Sequence, residues 1–135
     1  ILLIIKLKNF LIMIKKFKKI NNELGDIYKI LSPVKKSDLI QDVYITEVNY
    51  NKTKGWNYHK KATSKLIVIS GKVEFRITKN FSKIKKKVLS GKDNKFMIIK
   101  PKYCFCFRGI SKNNRVLNLL NYKHDKNETK KKSIT

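Results

Sequence analysis

Residues 65–80 read KLIVISGKVEFRITKN, and this stretch decides the fold class. Its first part, KLIVISG (65–71), is a short apolar run stopped by a glycine. From Lys72 onward the pattern alternates: Val73, Phe75 and Ile77 take one side, Glu74, Arg76 and Thr78 the other. A period of two is the mark of a half-buried strand. Ser70-Gly71-Lys72 between the runs reads as a tight turn that uses glycine's access to positive φ. Further strands are expected at DVYITEVNY (42–50), at FMIIK (96–100) before Pro101, at YCFCF (103–107) and at RVLNLLNY (115–122). The last two are joined by a loop over residues 109–114. Residues 81–95, with Lys85-Lys86-Lys87 and Gly91, read as a Lys-rich hairpin or loop. Short β-rich runs at this spacing predict an all-β chain, a small antiparallel barrel or jelly roll. Such a barrel can turn polar side chains inward onto a ligand pocket.

The chain has 135 residues, one domain's worth, and its 41% hydrophobic content excludes wholesale disorder. Lys and Arg number 33 against 9 acids, a formal net charge of +24. Thirty of those are Lys and three are Arg (Arg76, Arg108, Arg115); with 18 Ile and 13 Asn, three residue types with A/T-rich codons dominate the composition. Base recognition favours the planar fork of Arg, and the Lys residues are spread along the whole chain. The charge therefore reads as a solvated surface, and no specific nucleic-acid partner is expected. Cys104 and Cys106 cannot build a disulfide framework and read as buried thiols, compatible with a reducing cytoplasm.

Residues 1–20 read as an N-terminal extension, 21–128 as the folded domain and 129–135 as a disordered basic tail. The apolar start is broken by Lys6 and Lys8, so no membrane span is expected. Met13 reads as a start, which makes residues 1–12 an upstream stretch or accessory helix; an amphipathic membrane anchor is the rival reading.

The densest polar cluster is Lys54-Gly55-Trp56-Asn57-Tyr58-His59-Lys60-Lys61. If extended, it directs Gly55, Asn57 and His59 to one face and Trp56, Tyr58 and Lys60 to the other. His59 is the best candidate acid or base, because imidazole titrates near neutral pH. Too few ligands accompany it for a metal site, so neither metal nor cofactor is expected.

This cluster resembles the cupin sugar 3,4-ketoisomerases and 3,5-epimerases that act on dTDP-4-keto-6-deoxy sugars. Their ketoisomerase pattern Arg-Gly-x-His-Ala-His-Lys, followed by a strand and a Ser-Gly turn, is similar to KGWNYHKKATSKLIVISG (54–71) without a gap. Lys54 stands for the Arg, Asn57 for the first His and His59 for the second; Gly55 and Gly71 match. The Lys-Gly-Trp-x-x-His-Lys form resembles a subgroup described as dTDP-4-dehydrorhamnose 3,5-epimerase-like. Gly25-Asp26-Ile27, IIKPKYCFCFRGIS (98–111) and LLNYKHDKNE (119–128) extend the resemblance over about residues 23–128. It departs where the epimerases' catalytic His falls on Asn57 and their acid Tyr falls near Asn118.

The resemblance implies a cupin jelly roll and an epimerase or isomerase acting on a dTDP-4-keto-6-deoxy sugar in surface-polysaccharide biosynthesis. The alternative is a non-catalytic cupin that binds a nucleotide-sugar or carbohydrate ligand. His59 would be the base. Lys54 or Lys65 would supply charge to an enolate oxygen or the diphosphate, Asn57 would bond a sugar hydroxyl, Trp56 or Tyr103 would flank the sugar or thymine, and Asn118 completes the substrate-binding set. The family commonly dimerises by sheet extension. The strand over residues 43–50 has no Lys and one acid, Glu47, with Tyr44, Val48 and Tyr50 on one face, and residues 27–31 could add as an outer strand, so a homodimer is expected.

Overall fold

The alternating run forms a strand as expected: Val73, Phe75 and Ile77 are buried in the core while Glu74 and Arg76 point away from it. The computed structural model describes residues 14–31, 39–123 and 129–131. The expectations for residues 1–12 and Met13 fall outside these. Strands in chain order are β1 (Ile14–Lys16), β2 (Lys18–Ile20), β3 (Ile27–Lys29), β4 (Asp42–Asn49), β5 (Thr53–His59), β6 (Ser64–Ser70), β7 (Lys72–Thr78), β8 (Ile84–Ser90), β9 (Lys95–Ile99), β10 (Cys104–Gly109), β11 (Asn113–Leu120) and β12 (Thr129–Lys131). Two five-stranded sheets run β1-β9-β6-β11-β4 and β12-β5-β10-β7-β8, and β2 pairs with β3 as a separate hairpin. All strand pairings are antiparallel. From β4 onward the chain passes from one sheet to the other at nearly every connection, the winding of a jelly roll. Among the described residues no helix is long and apolar enough to cross a membrane.

Between the sheets lies a core of Leu66, Val68, Val73, Phe75, Ile77, Met97, Ile99 and Val116, with Phe105 and Phe107 stacked at 6.5 Å. Alternation carries the neighbouring residues Ile67, Phe96 and Leu119 to the outer face of the first sheet, where Phe17, Ile30, Leu31 and Ile40 cover them. Phe17 stacks on Phe96 at 5.8 Å, and Ile14–Lys16 pairs along β9. The described part of the N-terminal stretch is thus packed into the fold.

The tight Ser70-Gly71-Lys72 turn forms, and it carries the chain from β6 in one sheet to β7 in the other. Gly71 does have positive φ (80°), and a Cβ there would run into the Asn113 carbonyl and the Asn114 amide. Lys85-Lys86-Lys87 lies in a strand, β8, at the edge of the second sheet. Lysines on an edge strand hinder pairing with another chain, so the charge suits the position. Residues 113–114, expected in a loop, open β11. Thr129–Lys131, expected in a fraying tail, pairs with β5 in register Thr129↔His59.

Asn114 ties the crossing together. It is buried and uses both ends of its amide: Nδ2 donates to the carbonyls of Val48 (2.9 Å) and Ser111 (2.7 Å). Its Oδ1 accepts from the backbone N–H groups of Lys72 (2.9 Å) and Ser111 (3.3 Å). One side chain thereby fixes β4, the start of β7 and the β10–β11 turn, leaving no buried partner unpaired.

Candidate functional site

The apolar packing does not fill the whole space between the sheets. Toward β4 and β11 on one side, and β5 and β10 on the other, it gives way to a cavity of about 500 Å³. Asn57 and His59 project into it from β5, with Gly55 between Lys54 and the rest, as the extended reading of this segment expects. His59, 7% exposed, stacks on Phe105 with ring centroids 6.2 Å apart, and its carbonyl accepts from the Lys102 backbone N–H at 2.8 Å.

Strict alternation would send Lys54 outward with Trp56. A β-bulge changes that. Asn57 pairs with Phe105 but Lys54 pairs with Phe107, so β5 carries an extra residue here. Bulges re-aim side chains, and this one lets Lys54 line the cavity beside Asn57. The bulge sits at Gly55, which has φ 117° and lies so close to β10 that a Cβ would be 2.8 Å from the Cys106 Cβ and the Phe105 carbonyl.

The opposite wall is built by β4 and β11. Asp42, Tyr44 and Thr46 alternate inward on β4, and Asn118 and Leu120 on β11, with Tyr122 and Lys123 beyond the strand end. Asn118 and Tyr44 are direct cross-strand partners. Tyr44 is 43% exposed; its partial burial, and then the Asp42 carboxylate, push the phenol above its ordinary pKa. Sequence reading assigned the Tyr44, Val48 and Tyr50 face to a partner chain. Instead Val48 is in the core and Tyr44 lines the cavity, while the outward residues of β4, Val43 and Ile45, are exposed. Tyr44 and Thr46 share the parity of Val48, so their common direction was readable; which direction was inward was not.

Of the expected site residues, the structure brings Lys54, Asn57, His59 and Asn118 together and leaves three elsewhere. Trp56 packs edge-to-face on Phe81 at 5.2 Å on the outer face of the second sheet. Lys65 donates to the Ile30 carbonyl at 3.2 Å and lies 4.1 Å over the Phe96 ring, a structural role on the outer face of the first sheet. Tyr103 packs against the inner core, with Lys79 Nζ 5.7 Å from its ring. Cys104 and Cys106 are buried and not in a disulfide, and burial pushes the Cys106 thiol up to about 11. Among the described residues no three His, Cys, Asp or Glu side chains gather as a metal site would require.

Comparison with solved structures places this architecture. The sugar 3,4-ketoisomerase QdtA from Thermoanaerobacterium thermosaccharolyticum, solved in complex with TDP, superposes with a TM-score of 0.74 at 23% identity, over 86% of this chain and 84% of that one. A 3,4-ketoisomerase from Helicobacter canadensis gives 0.75 at 20% identity, over 86% of both chains. The fold is the cupin jelly roll of the dTDP-sugar isomerases. It extends to the dTDP-6-deoxy-D-glucose-3,5-epimerase RmlC from Legionella pneumophila, in complex with dTDP-4-keto-L-rhamnose, with a TM-score of 0.72 at 13% identity over 86% of this chain and 69% of that one. The likeness to this cupin group is one of fold. A scan of family models finds no match to the chain, and a search of curated proteins finds none.

Proposed function

We propose that the cavity binds a dTDP-linked 4-keto-6-deoxy sugar and isomerises or epimerises it through an enolate, a step suited to surface-polysaccharide biosynthesis in the cytoplasm. The observation that carries this reading is the placement of His59: a nearly buried imidazole lining a polar cavity that Asn57 on its own strand and Tyr44 on the facing wall also line. A proton on the carbon beside a ketone is acidic enough to be removed by a positioned imidazole base. His59 is that base. The carbonyl oxygen gains charge as the proton leaves and needs a donor or a cation beside it. Tyr44, whose phenol lines the cavity, supplies the donor. Lys54, turned inward by the bulge, supplies charge to the oxygen or to the diphosphate, with Lys123 at the mouth. Asn57 and Asn118 bond sugar hydroxyls. No metal or cofactor is needed for this chemistry.

A second reading has its own support. Asn57 and Asn118 stand where the resembling enzymes carry a His and a Tyr, so among the described residues the cavity is lined by one imidazole, His59. A cupin that binds a nucleotide-sugar without turning it over would need no more. Both readings require the nucleotide to bind. In a thermal-shift series, dTDP at about one hundred times its Kd should stabilise the fold by ~2.7 kcal/mol, several degrees in Tm, and UDP or GDP should do less. No shift with dTDP or any dTDP-sugar rejects both readings.

The same proposal includes a homodimer. β4 is the outer strand of the first sheet, and its outward side exposes Val43 and Ile45. An exposed, apolar, Lys-free edge is the surface most in need of cover. Light scattering at moderate salt should give about twice the 15.9 kDa chain mass; a single species at the chain mass rejects the dimer.

A further inference from the structure

The amide of Asn118 has a fixed polarity. Its Nδ2 donates to the Val116 carbonyl at 3.0 Å, to Thr46 Oγ1 at 3.2 Å and to the Tyr44 carbonyl at 3.4 Å. Two of these three acceptors are backbone carbonyls, which can only accept, so the amide cannot be reversed without setting oxygen against oxygen. The side chain is 4% exposed and borders the cavity. With the nitrogen committed to the wall, Oδ1 is the atom left to meet a ligand. Thr46 is its complement. Its Oγ1 already accepts from Asn118, which leaves the hydroxyl proton to donate, and Thr46 also lines the cavity.

A rigid acceptor and a rotatable donor therefore stand side by side on β11 and β4. We propose that Thr46 and Asn118 form a two-point reader for a single hydroxyl of the sugar, and so select a neutral hydroxylated sugar unit. This rests on the reading of the cavity as a dTDP-sugar site. A hydroxyl both donates and accepts, so it satisfies the pair at once. A carboxylate cannot donate and would meet Asn118 Oδ1 oxygen to oxygen, with the Asp42 carboxylate on the same wall. A protonated amine can donate to Asn118 but cannot accept from Thr46. A site built to bond a hydroxyl rejects the analogue that lacks it, because its own buried groups are then left unpaired.

The test measures affinities of dTDP-glucose and its 2-deoxy, 3-deoxy and 4-deoxy analogues for the full chain and for Thr46→Val and Asn118→Leu. Thr46→Val keeps shape and strand preference, so it preserves the fold even where Asn118→Leu, which strands two carbonyls, does not. One analogue should bind the unaltered protein roughly tenfold more weakly than dTDP-glucose, and that penalty should shrink to less than about threefold in Thr46→Val. Equal binding of all four ligands to the unaltered protein overturns the inference, as does a penalty of the same size in Thr46→Val. Failure of dTDP-glucose and dTDP alike to bind overturns the underlying reading, and the inference falls with it.

Discussion

Replacing His59 with Asn should lower turnover of a dTDP-4-keto-6-deoxy sugar by about 10²–10⁴-fold, the usual contribution of a positioned acid or base. Binding of dTDP should stay within a factor of about two, since an amide of similar reach keeps the cavity polar while removing the basic ring nitrogen. The effect should appear equally in proton exchange and in product formation, because both need the same proton removed. Turnover within about threefold of the unaltered protein would mean that His59 is a structural residue stacked on Phe105 and that the base lies elsewhere. Loss of nucleotide binding together with turnover would mean that the ring only shapes the cavity wall.

The largest effect on stability is expected from Phe75→Ala. Phe75 is fully buried in the core and lies 5.7 Å from the Phe107 ring. Removing a large core ring forfeits its burial and leaves a cavity that neighbours only partly fill, a cost of ~3–5 kcal/mol. Domains are commonly stable by only about 5–15 kcal/mol, so the variant should melt ten or more degrees lower, or not fold at 37 °C. Leu24→Ala is the natural control, because Leu24 is fully exposed and its removal should leave the melting temperature unchanged. A loss below about 1 kcal/mol for Phe75→Ala would show that the two sheets do not close on this ring.

How much of this was legible depends on the kind of signal. Alternation in residues 72–78 marked both the strand and its buried face, because period two admits one side facing the core. That Asn57 and His59 share one face was legible for the same reason; which face turns inward was not. The crossing at Gly71 was not. A glycine at positive φ serves a hairpin and a sheet-to-sheet crossing equally well, and the partners that decide between them, Asn113 and Asn114, lie about forty residues away. Lys85-Lys86-Lys87 reads as part of a hairpin or loop, and it forms an edge strand, which tolerates the charge. Lys54 escaped alternation through a bulge whose extra residue shows only against β10. Lys65, Trp56 and Tyr103 were assigned by the chemistry of their side chains. Their neighbours Phe96, Phe81 and Lys79 hold them outside the cavity. Tyr44 and Thr46 were missed because the inner face of β4 is defined by β11, its partner across the sheet.

The central claim is that this cavity removes a proton from the carbon beside the ketone of a dTDP-linked sugar. It is tested most directly by incubating the full chain with dTDP-4-keto-6-deoxyglucose in deuterated water and following the sugar by NMR. The account predicts deuterium entering at C3 or C5, with an isomeric keto sugar accumulating, and neither change with His59→Asn. Unchanged substrate with no deuterium at either carbon, from a protein that binds dTDP, would contradict it and leave a nucleotide-sugar-binding cupin without catalysis.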